Sequence, residues 1–234
     1  MFRHGRMMDP KQGFFVFTKH FHWFRDPSAR GEAGDRRNRL IADLRNDPTI
    51  VRPSFVALEL GPGDSLFSAL TAYSFGASGT YLIDVGTFAT DDVNDYRRMT
   101  EYLVANGLPS PDLSHATSLG DVLRVCGSYY GTSGLKSFRE VPSESVDFIW
   151  SDRVLQHVRR DELPEVIREM RRVIRPDGIC SHTVELHDHL GGNLNHLRFS
   201  ERLWEWQFMA ESGFYTNRYR LSQLLLLFEK EGFK

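Results

Sequence analysis

An apolar run that opens directly into a glycine turn constrains the fold more than any other feature of the sequence. The run and the turn comprise Ala57, Leu58, Glu59, Leu60, Gly61, Pro62, Gly63 and Asp64, and a helical pattern follows over residues 66–75. Glycines let the backbone approach a ligand closely, and the unpaired N–H groups at the start of the next helix favour a polar ligand there. The segment predicts a buried strand, a ligand-binding turn and a helix in succession.

Strand-like and helix-like segments alternate through the rest of the chain. Strand patterns cover residues 55–60, 81–84, 146–150 and 179–186, and the third strand in chain order, if it exists, is hidden within 110–142. Helical patterns cover residues 66–75, 91–106, 119–126, 163–174, 200–209 and 221–231. Strands that alternate with helices at this spacing form parallel sheets covered on both faces. We therefore expect an α/β fold with a doubly wound, mostly parallel sheet, whose ligands lie at the carboxyl ends of the strands.

Residues 1–53 differ from this pattern. They combine aromatic residues between Phe14 and Phe24 with a charged stretch over 25–39 that is rich in glycine and arginine. We interpret residues 1–53 as an N-terminal extension and residues 54–234 as the ligand-binding domain. The aromatic residues are expected to pack one face of a short helix onto that domain, and the alternative is a lid over a ligand.

The composition argues against several classes of protein. The net charge of −2 over 234 residues gives no broad positive surface for nucleic acid. The two cysteines, Cys126 and Cys180, lie far apart and outside any CxxC motif, so neither a disulfide framework nor a zinc knuckle is expected. No run of about 18 apolar residues and no signal-peptide pattern is present. We expect a soluble cytoplasmic protein without a membrane or nucleic-acid partner.

Two acidic residues at strand ends indicate a ligand that contains adenosine. Glu59 lies near the end of the first strand, where a buried carboxylate costs several kcal/mol unless a partner such as an amino or sulfonium cation holds it. Asp84 ends the next strand, 21 positions after Gly63, close to the spacing of about 20 at which an acid binds ribose in nucleotide-binding units. Leu66 stands where the dinucleotide fingerprint requires a small residue, so an NAD-dependent oxidoreductase is the less favoured alternative.

Four segments, in this order and spacing, resemble class I S-adenosylmethionine-dependent methyltransferases of the type-11-like group across positions 54–189. The segments are Glu59 to Gly63, Ile83-Asp84, Val146 to Ser151 with Val154 to Val158, and Glu169 to Gly178. The resemblance implies a Rossmann-like enzyme that binds S-adenosyl-L-methionine and releases S-adenosyl-L-homocysteine. It further implies cofactor-binding residues, namely Glu59, Gly61, Pro62 and Gly63 around the methionine end, Asp84 with Val85 after the second strand, and Ser151 and Asp152 between cofactor and acceptor.

A second resemblance concerns the acceptor and the bacterial relatives. Residues 182–218 are similar to a bacterial subgroup of these methyltransferases that is associated with polysaccharide gene clusters, which implies a saccharide or other small-molecule acceptor, methylated on oxygen or nitrogen.

The sequence departs from the family pattern in two places. No acid marks the end of the third strand, so the adenine contact is expected from backbone near residues 128–133. The two last strands of the family have no counterpart; either the sheet is short or the chain is truncated, and because an open edge invites pairing, we hypothesise a homodimer.

Histidine is the natural general base near neutral pH, and methyl transfer needs a base only to free an acceptor hydroxyl or amine. His157, after the fourth strand, and His182, on the fifth, are the catalytic candidates. Together with the cofactor residues they make an S-adenosylmethionine-dependent methyltransferase the expected activity. The rival from another class is a methyltransferase-like scaffold without catalysis.

The residues that follow His182 leave one further alternative open. Strand alternation would place Glu185, His187 and His189 on one face, and His182 with Asp188 on the other. Histidine and carboxylate side chains of this kind bind divalent metals. Their spacing matches no metal motif, however, so we expect no metal.

Overall fold

The structure is a computed structural model that describes residues 7–26 and 54–234, together with Ala42. The described residues form five strands, β1 to β5, which are Phe55–Leu60, Ala77–Ile83, Ser128–Gly131, Val146–Asp152 and Ile174–Thr183. They also form nine α-helices, α1 to α9, which are Pro10–Arg25, Phe67–Ser74, Val93–Ala105, Leu119–Val125, Leu135–Glu140, Leu163–Val173, Glu201–Trp204, Gln207–Ala210 and Leu221–Lys230. A 3-10 helix spans Asn195–Arg198.

The strands form one sheet in the order β3-β2-β1-β4-β5. β1 pairs in parallel with β2 and β4, and β2 pairs in parallel with β3. At the carboxyl end of β1, Glu59 stands opposite Leu82 on one side and Trp150 on the other. The prediction of a doubly wound, mostly parallel α/β sheet is therefore confirmed. The strand order reverses between β1 and β4, which is where such sheets bind ligands.

The described residues divide into two compact units. Residues 7–26, 54–150 and 174–181 form the sheet unit, and residues 151–173 and 182–234 form the C-terminal unit. The chain passes from the first to the second within β4, after Trp150. The proposed boundary at residue 53 stays a prediction, because of residues 27–53 only Ala42 lies among the described residues.

Helix α1 belongs to the core of the sheet unit. Asp9 caps it by accepting a hydrogen bond from the Lys11 amide, and Pro10 occupies its first turn, where no N–H is needed. Phe14, Phe17 and Phe21 recur on one helical face and are buried in the apolar core. The predicted packing of this aromatic segment onto the domain is confirmed, and its burial favours this interpretation over a lid.

Several predicted boundaries were wrong. β4 continues to Asp152 instead of ending at Trp150, and β5 covers 174–183 instead of 179–186. α6 ends at Val173, as the pattern over 163–174 predicts, and Pro176 lies just beyond it in β5, an edge strand, where a missing N–H donor is tolerated. The helix predicted at 200–209 is two short helices, because Trp206 adopts an extended conformation between them.

The strand that the sequence left hidden is β3, at Ser128–Gly131. It has four residues and lies at the sheet edge beyond β2. Gly131 is required there, because a Cβ at this position would lie 2.5 Å from the Cβ of Ser137. Among the described residues no strand follows β5, and none of the helices is long and apolar enough to cross a membrane.

Candidate cofactor and acceptor sites

The turn after β1 has the conformation that its glycines predict. Gly61 has a φ of 66° and Gly63 a φ of 73°, both in the left-handed region that side chains disfavour. The amide of Gly61 donates to the carbonyl of Ile83 over 2.8 Å. The turn is thereby fixed beside the carboxyl end of β2.

Glu59 brings a carboxylate into the interior immediately before this turn. Its side chain is only 3% exposed, and Ser68 in α2 donates a hydrogen bond to Oε2. Glu59 thus places a buried carboxylate directly before the glycine turn.

Asp84 follows β2 and joins it to the glycine turn. Its carboxylate, 8% exposed, accepts from the Gly63 amide at 3.1 Å through Oδ2 and from the Val85 amide at 2.7 Å through Oδ1. The Asp84 amide donates to Gly131 and its carbonyl accepts from Gly134, both at 2.8 Å, so β3 fixes its backbone. The structure therefore brings together the predicted residues Gly63, Asp84 and Val85.

Tyr130 in β3 is a residue of this region that the sequence interpretation missed. Its hydroxyl donates to the Gly86 carbonyl at 3.2 Å and accepts from the amides of Phe88 and Ala89 at 3.2 and 3.5 Å. Burial raises the pKa of Tyr130 above its ordinary value, although the two amide donors partly lower it. The phenol thus holds the loop after β2, including Val85, which is 78% exposed.

The chemistry of these groups fits S-adenosylmethionine. A carboxylate has about four lone-pair directions, and an acid at the position of Asp84 is of the type that accepts ribose hydroxyls. A carboxylate at the position of Glu59 suits the cationic methionine end. Gly61 and Gly63 carry no side chain, so the backbone of the turn is open on both sides of the buried Pro62. Val85 offers an exposed apolar surface to a base.

In the C-terminal unit, Ser151 and His182 form a pair. Ser151 is fully buried, and its Oγ lies 2.8 Å from Nδ1 of His182, whose ring packs 5.7 Å from that of Phe228. Asp152 accepts from Nε of Arg153 at 3.1 Å. Arg153 itself has a φ of 58°, an uncommon conformation for a residue with a side chain.

His157 lies in the turn after β4 and is exposed. Its Nδ1 is 3.0 Å from the carbonyl of Tyr215. Because a carbonyl only accepts, Nδ1 carries the hydrogen in this bond, and the neutral ring then has its lone pair on Nε2. The two predicted base candidates thus have different partners, a backbone carbonyl for His157 and a buried hydroxyl for His182.

The expected alternation of residues 182–189 was wrong, because β5 ends at Thr183. Glu185 instead lies in the following loop, where its carboxylate is 3.5 Å from both Arg153 and His189. Asp188 is buried and accepts from the amides of Leu190 and His196, which closes the loop. Within the described part of the chain no three His, Cys, Asp or Glu residues form a metal-binding group, so the geometry gives the metal alternative no support.

One stretch of the chain matches a known family model. Residues 131–181 match a family model described as a methyltransferase domain. This stretch runs from the end of β3 through β4 into β5. No curated protein matches the chain significantly.

Solved structures of several methyltransferases are similar to the chain at low identity. Phosphoethanolamine N-methyltransferase 2 of Haemonchus contortus, in complex with S-adenosyl-L-methionine, is 16% identical, with 97% of this chain and 43% of that one covered and a TM-score of 0.44. The DszA carbon methyltransferase is 14% identical, with 86% and 46% covered and a TM-score of 0.45. The chain therefore spans less than half the length of these two proteins.

Proposed function

We propose that the protein is an S-adenosylmethionine-dependent methyltransferase that acts on a small molecule or saccharide, on oxygen or nitrogen. The observation that carries the proposal is the glycine turn flanked by two carboxylates, Glu59 buried before it and Asp84 bonded to it. The match of residues 131–181 to a methyltransferase domain supports the same class. Bound S-adenosylmethionine would supply a methyl group that its sulfonium has already activated.

The sheet unit holds the cofactor in this proposal. Glu59 attracts the cationic methionine end, and the turn from Gly61 through Pro62 to Gly63 allows close approach of the backbone. Asp84 accepts hydrogen bonds from the ribose hydroxyls, and Val85 contacts the adenine side. The saccharide acceptor rests on the resemblance of residues 182–218 to the bacterial polysaccharide-associated subgroup.

Ser151 and Asp152, the last residues of β4, are proposed to border the acceptor, with His157 as the general base. A general base must be able to contact the proton that it removes, and His157 is exposed. Because its Nδ1–H donates to the Tyr215 carbonyl, Nε2 is the basic nitrogen. His182 is bonded through Nδ1 to the buried hydroxyl of Ser151, which suits a structural role. His157 would take the proton that an acceptor hydroxyl or amine loses.

The test is transfer of a radiolabelled methyl group to a panel of saccharides, hydroxylated metabolites and amines. His157→Gln should lower turnover by about 100- to 10,000-fold, the usual contribution of a general base, with the affinity for S-adenosylhomocysteine unchanged. His182→Gln is the matched variant and should retain more activity. An unaltered rate in His157→Gln would show that His157 is not the general base. Cofactor binding without transfer to any acceptor would favour the alternative, a methyltransferase-like scaffold without catalysis.

We further propose a homodimer and a reducing, cytoplasmic environment. β5 presents one unpaired edge within the described sheet, and an open edge favours pairing with a second chain. Cys126 is a free cysteine packed in the core, and burial raises the pKa of its thiol to about 12, so it stays protonated.

A further inference from the structure

A chain of charged and titratable side chains leads to His157 within the C-terminal unit. Asp152 accepts from Nε of Arg153 at 3.1 Å, and Nη1 of Arg153 lies 3.5 Å from Oε1 of Glu185. Oε2 of Glu185 lies 3.5 Å from Nε2 of His189, and the ring of His189 meets that of His157 nearly at right angles, with 4.9 Å between centroids. The end of β4 and the loop after β5 thus contribute a continuous set of contacts.

The segment around Tyr215 also contacts His157, through the backbone carbonyl of Tyr215. The hydroxyl of Tyr215 is engaged elsewhere, with Glu205 and the Arg160 amide, and burial together with the Glu205 bond raises its pKa above the ordinary value. Arg159, in the same turn as His157, has its Nε 3.4 Å from Asp161. Glu185 is therefore the carboxylate that the chain of contacts connects to His157 through a second ring.

We propose that Glu185 and His189 are positioning residues that make His157 a stronger base. The inference rests on the proposed role of His157. The contact of the His189 ring restricts the orientation of the His157 ring, whose Nδ1–H is already directed at the Tyr215 carbonyl. The negative charge of Glu185, 3.5 Å from Nε2 of the His189 ring, favours the protonated form of the neighbouring His157.

This arrangement narrows the class of acceptor. The proton of an acceptor hydroxyl or protonated amine moves to Nε2 of His157, and the neutral imidazole becomes an imidazolium. Glu185 stabilises that positive charge. The arrangement of Glu185, His189 and His157 therefore assists methyl transfer only to an acceptor that loses a proton. A thioether or another acceptor without an exchangeable proton would gain nothing from it.

The experiment is an NMR titration of the histidine ring signals in the full chain, with His157 assigned by the His157→Gln variant. Glu185→Gln should lower the pKa of His157 by about 0.5 to 1 pH unit, because it removes a nearby negative charge from the imidazolium. His189→Phe keeps an aromatic ring but removes the Nε2 contact that holds the Glu185 carboxylate beside the rings, so the pKa of His157 should fall as well. In the His189→Phe background, Glu185→Gln should add little.

Glu140→Gln is the matched control, because Glu140 is an exposed glutamate of the sheet unit bonded to the Tyr129 hydroxyl at 2.8 Å. It should leave the His157 titration unchanged. An unchanged pKa of His157 in Glu185→Gln, with backbone spectra that show a folded protein, would overturn the proposal. A Glu185→Gln shift of equal size with and without His189 would overturn the role of His189. The titration needs neither cofactor nor acceptor, so its failure is distinct from a failure of the proposed function.

Discussion

The buried carboxylate of Glu59 takes a hydrogen bond from the Ser68 hydroxyl, and this contact can be removed by one substitution. Ser68→Ala should lower the free energy of unfolding by about 1–3 kcal/mol, because a buried charged group loses a donor. Urea denaturation measures this free energy of unfolding. Ser145→Ala is the control, since its hydroxyl donates to Pro142 at an exposed site, and it should change stability by less than about 0.5 kcal/mol. If the two variants were equally stable, the hydrogen bond from Ser68 would not be needed to accommodate the buried Glu59 carboxylate.

Residues at strand ends were the most predictable part of the site. Gly63, Asp84 and Val85 could be named because a glycine turn and an acid at a fixed spacing have a physical reason to occur together. Tyr130 could not, since its contacts with the loop after β2 depend on how β3 pairs with β2. The structure shows that Gly63, Asp84 and Val85 are in contact. The roles of all the predicted site residues stay predictions that only binding and activity can test.

At the level of elements, α1 is held by its aromatic face. Phe17 is fully buried, and its ring lies within 5.3–6.3 Å of the rings of Phe21, Phe75, Phe148 and Trp150. Phe17→Ala should cost about 3–5 kcal/mol of stability in urea denaturation. Phe15→Ala, on the same helix but 39% exposed, should cost less than about 1 kcal/mol. A near-neutral Phe17→Ala would favour the lid interpretation of this helix.

The loop closed by Asp188 and His196 should lose stability in mild acid. Burial lowers the pKa of His196, although Asp188 partly raises it, so the folded loop binds a proton less readily than the unfolded chain. Stability is therefore complete above the ordinary histidine pKa of about 6.5 and falls as the pH drops below it. Hydrogen exchange at the amides of Leu190 and His196 should show faster opening at pH 5.5 than at pH 7.5. His196→Gln should remove that difference, and an unchanged difference would assign it to other groups.

The extent of the elements was less predictable than their existence. Each predicted strand was found, but β5 begins at Ile174, directly after α6, because an edge strand tolerates Pro176. The short β3 carries two tyrosines and a glycine without clear alternation, so periodicity could not define it. The division at 200–209 arose from the extended backbone of Trp206, which no local pattern indicated.

For the whole molecule, the open edge of β5 predicts self-association. A homodimer should show about twice the 27.0 kDa mass of one chain in light scattering after size exclusion. Introducing a charge on the edge, as in Cys180→Lys, should shift the mass toward that of the monomer, whereas a lysine at the exposed Val125, on α4, should not. A monodisperse monomer of the unaltered chain would count against pairing through this edge.

The central claim is that the sheet unit binds S-adenosylmethionine through the glycine turn and Asp84. Calorimetric titration with S-adenosylmethionine and S-adenosylhomocysteine should show binding in the micromolar range, with no binding of NAD. Asp84→Asn should weaken both ligands by about 10- to 100-fold, the loss expected for a hydrogen bond to a charged group, whereas Asp112→Asn, an exposed aspartate of the same unit, should bind normally. Three results would contradict the account: binding of NAD in place of these two ligands, no binding of any ligand, or equal affinity in Asp84→Asn and the unaltered chain.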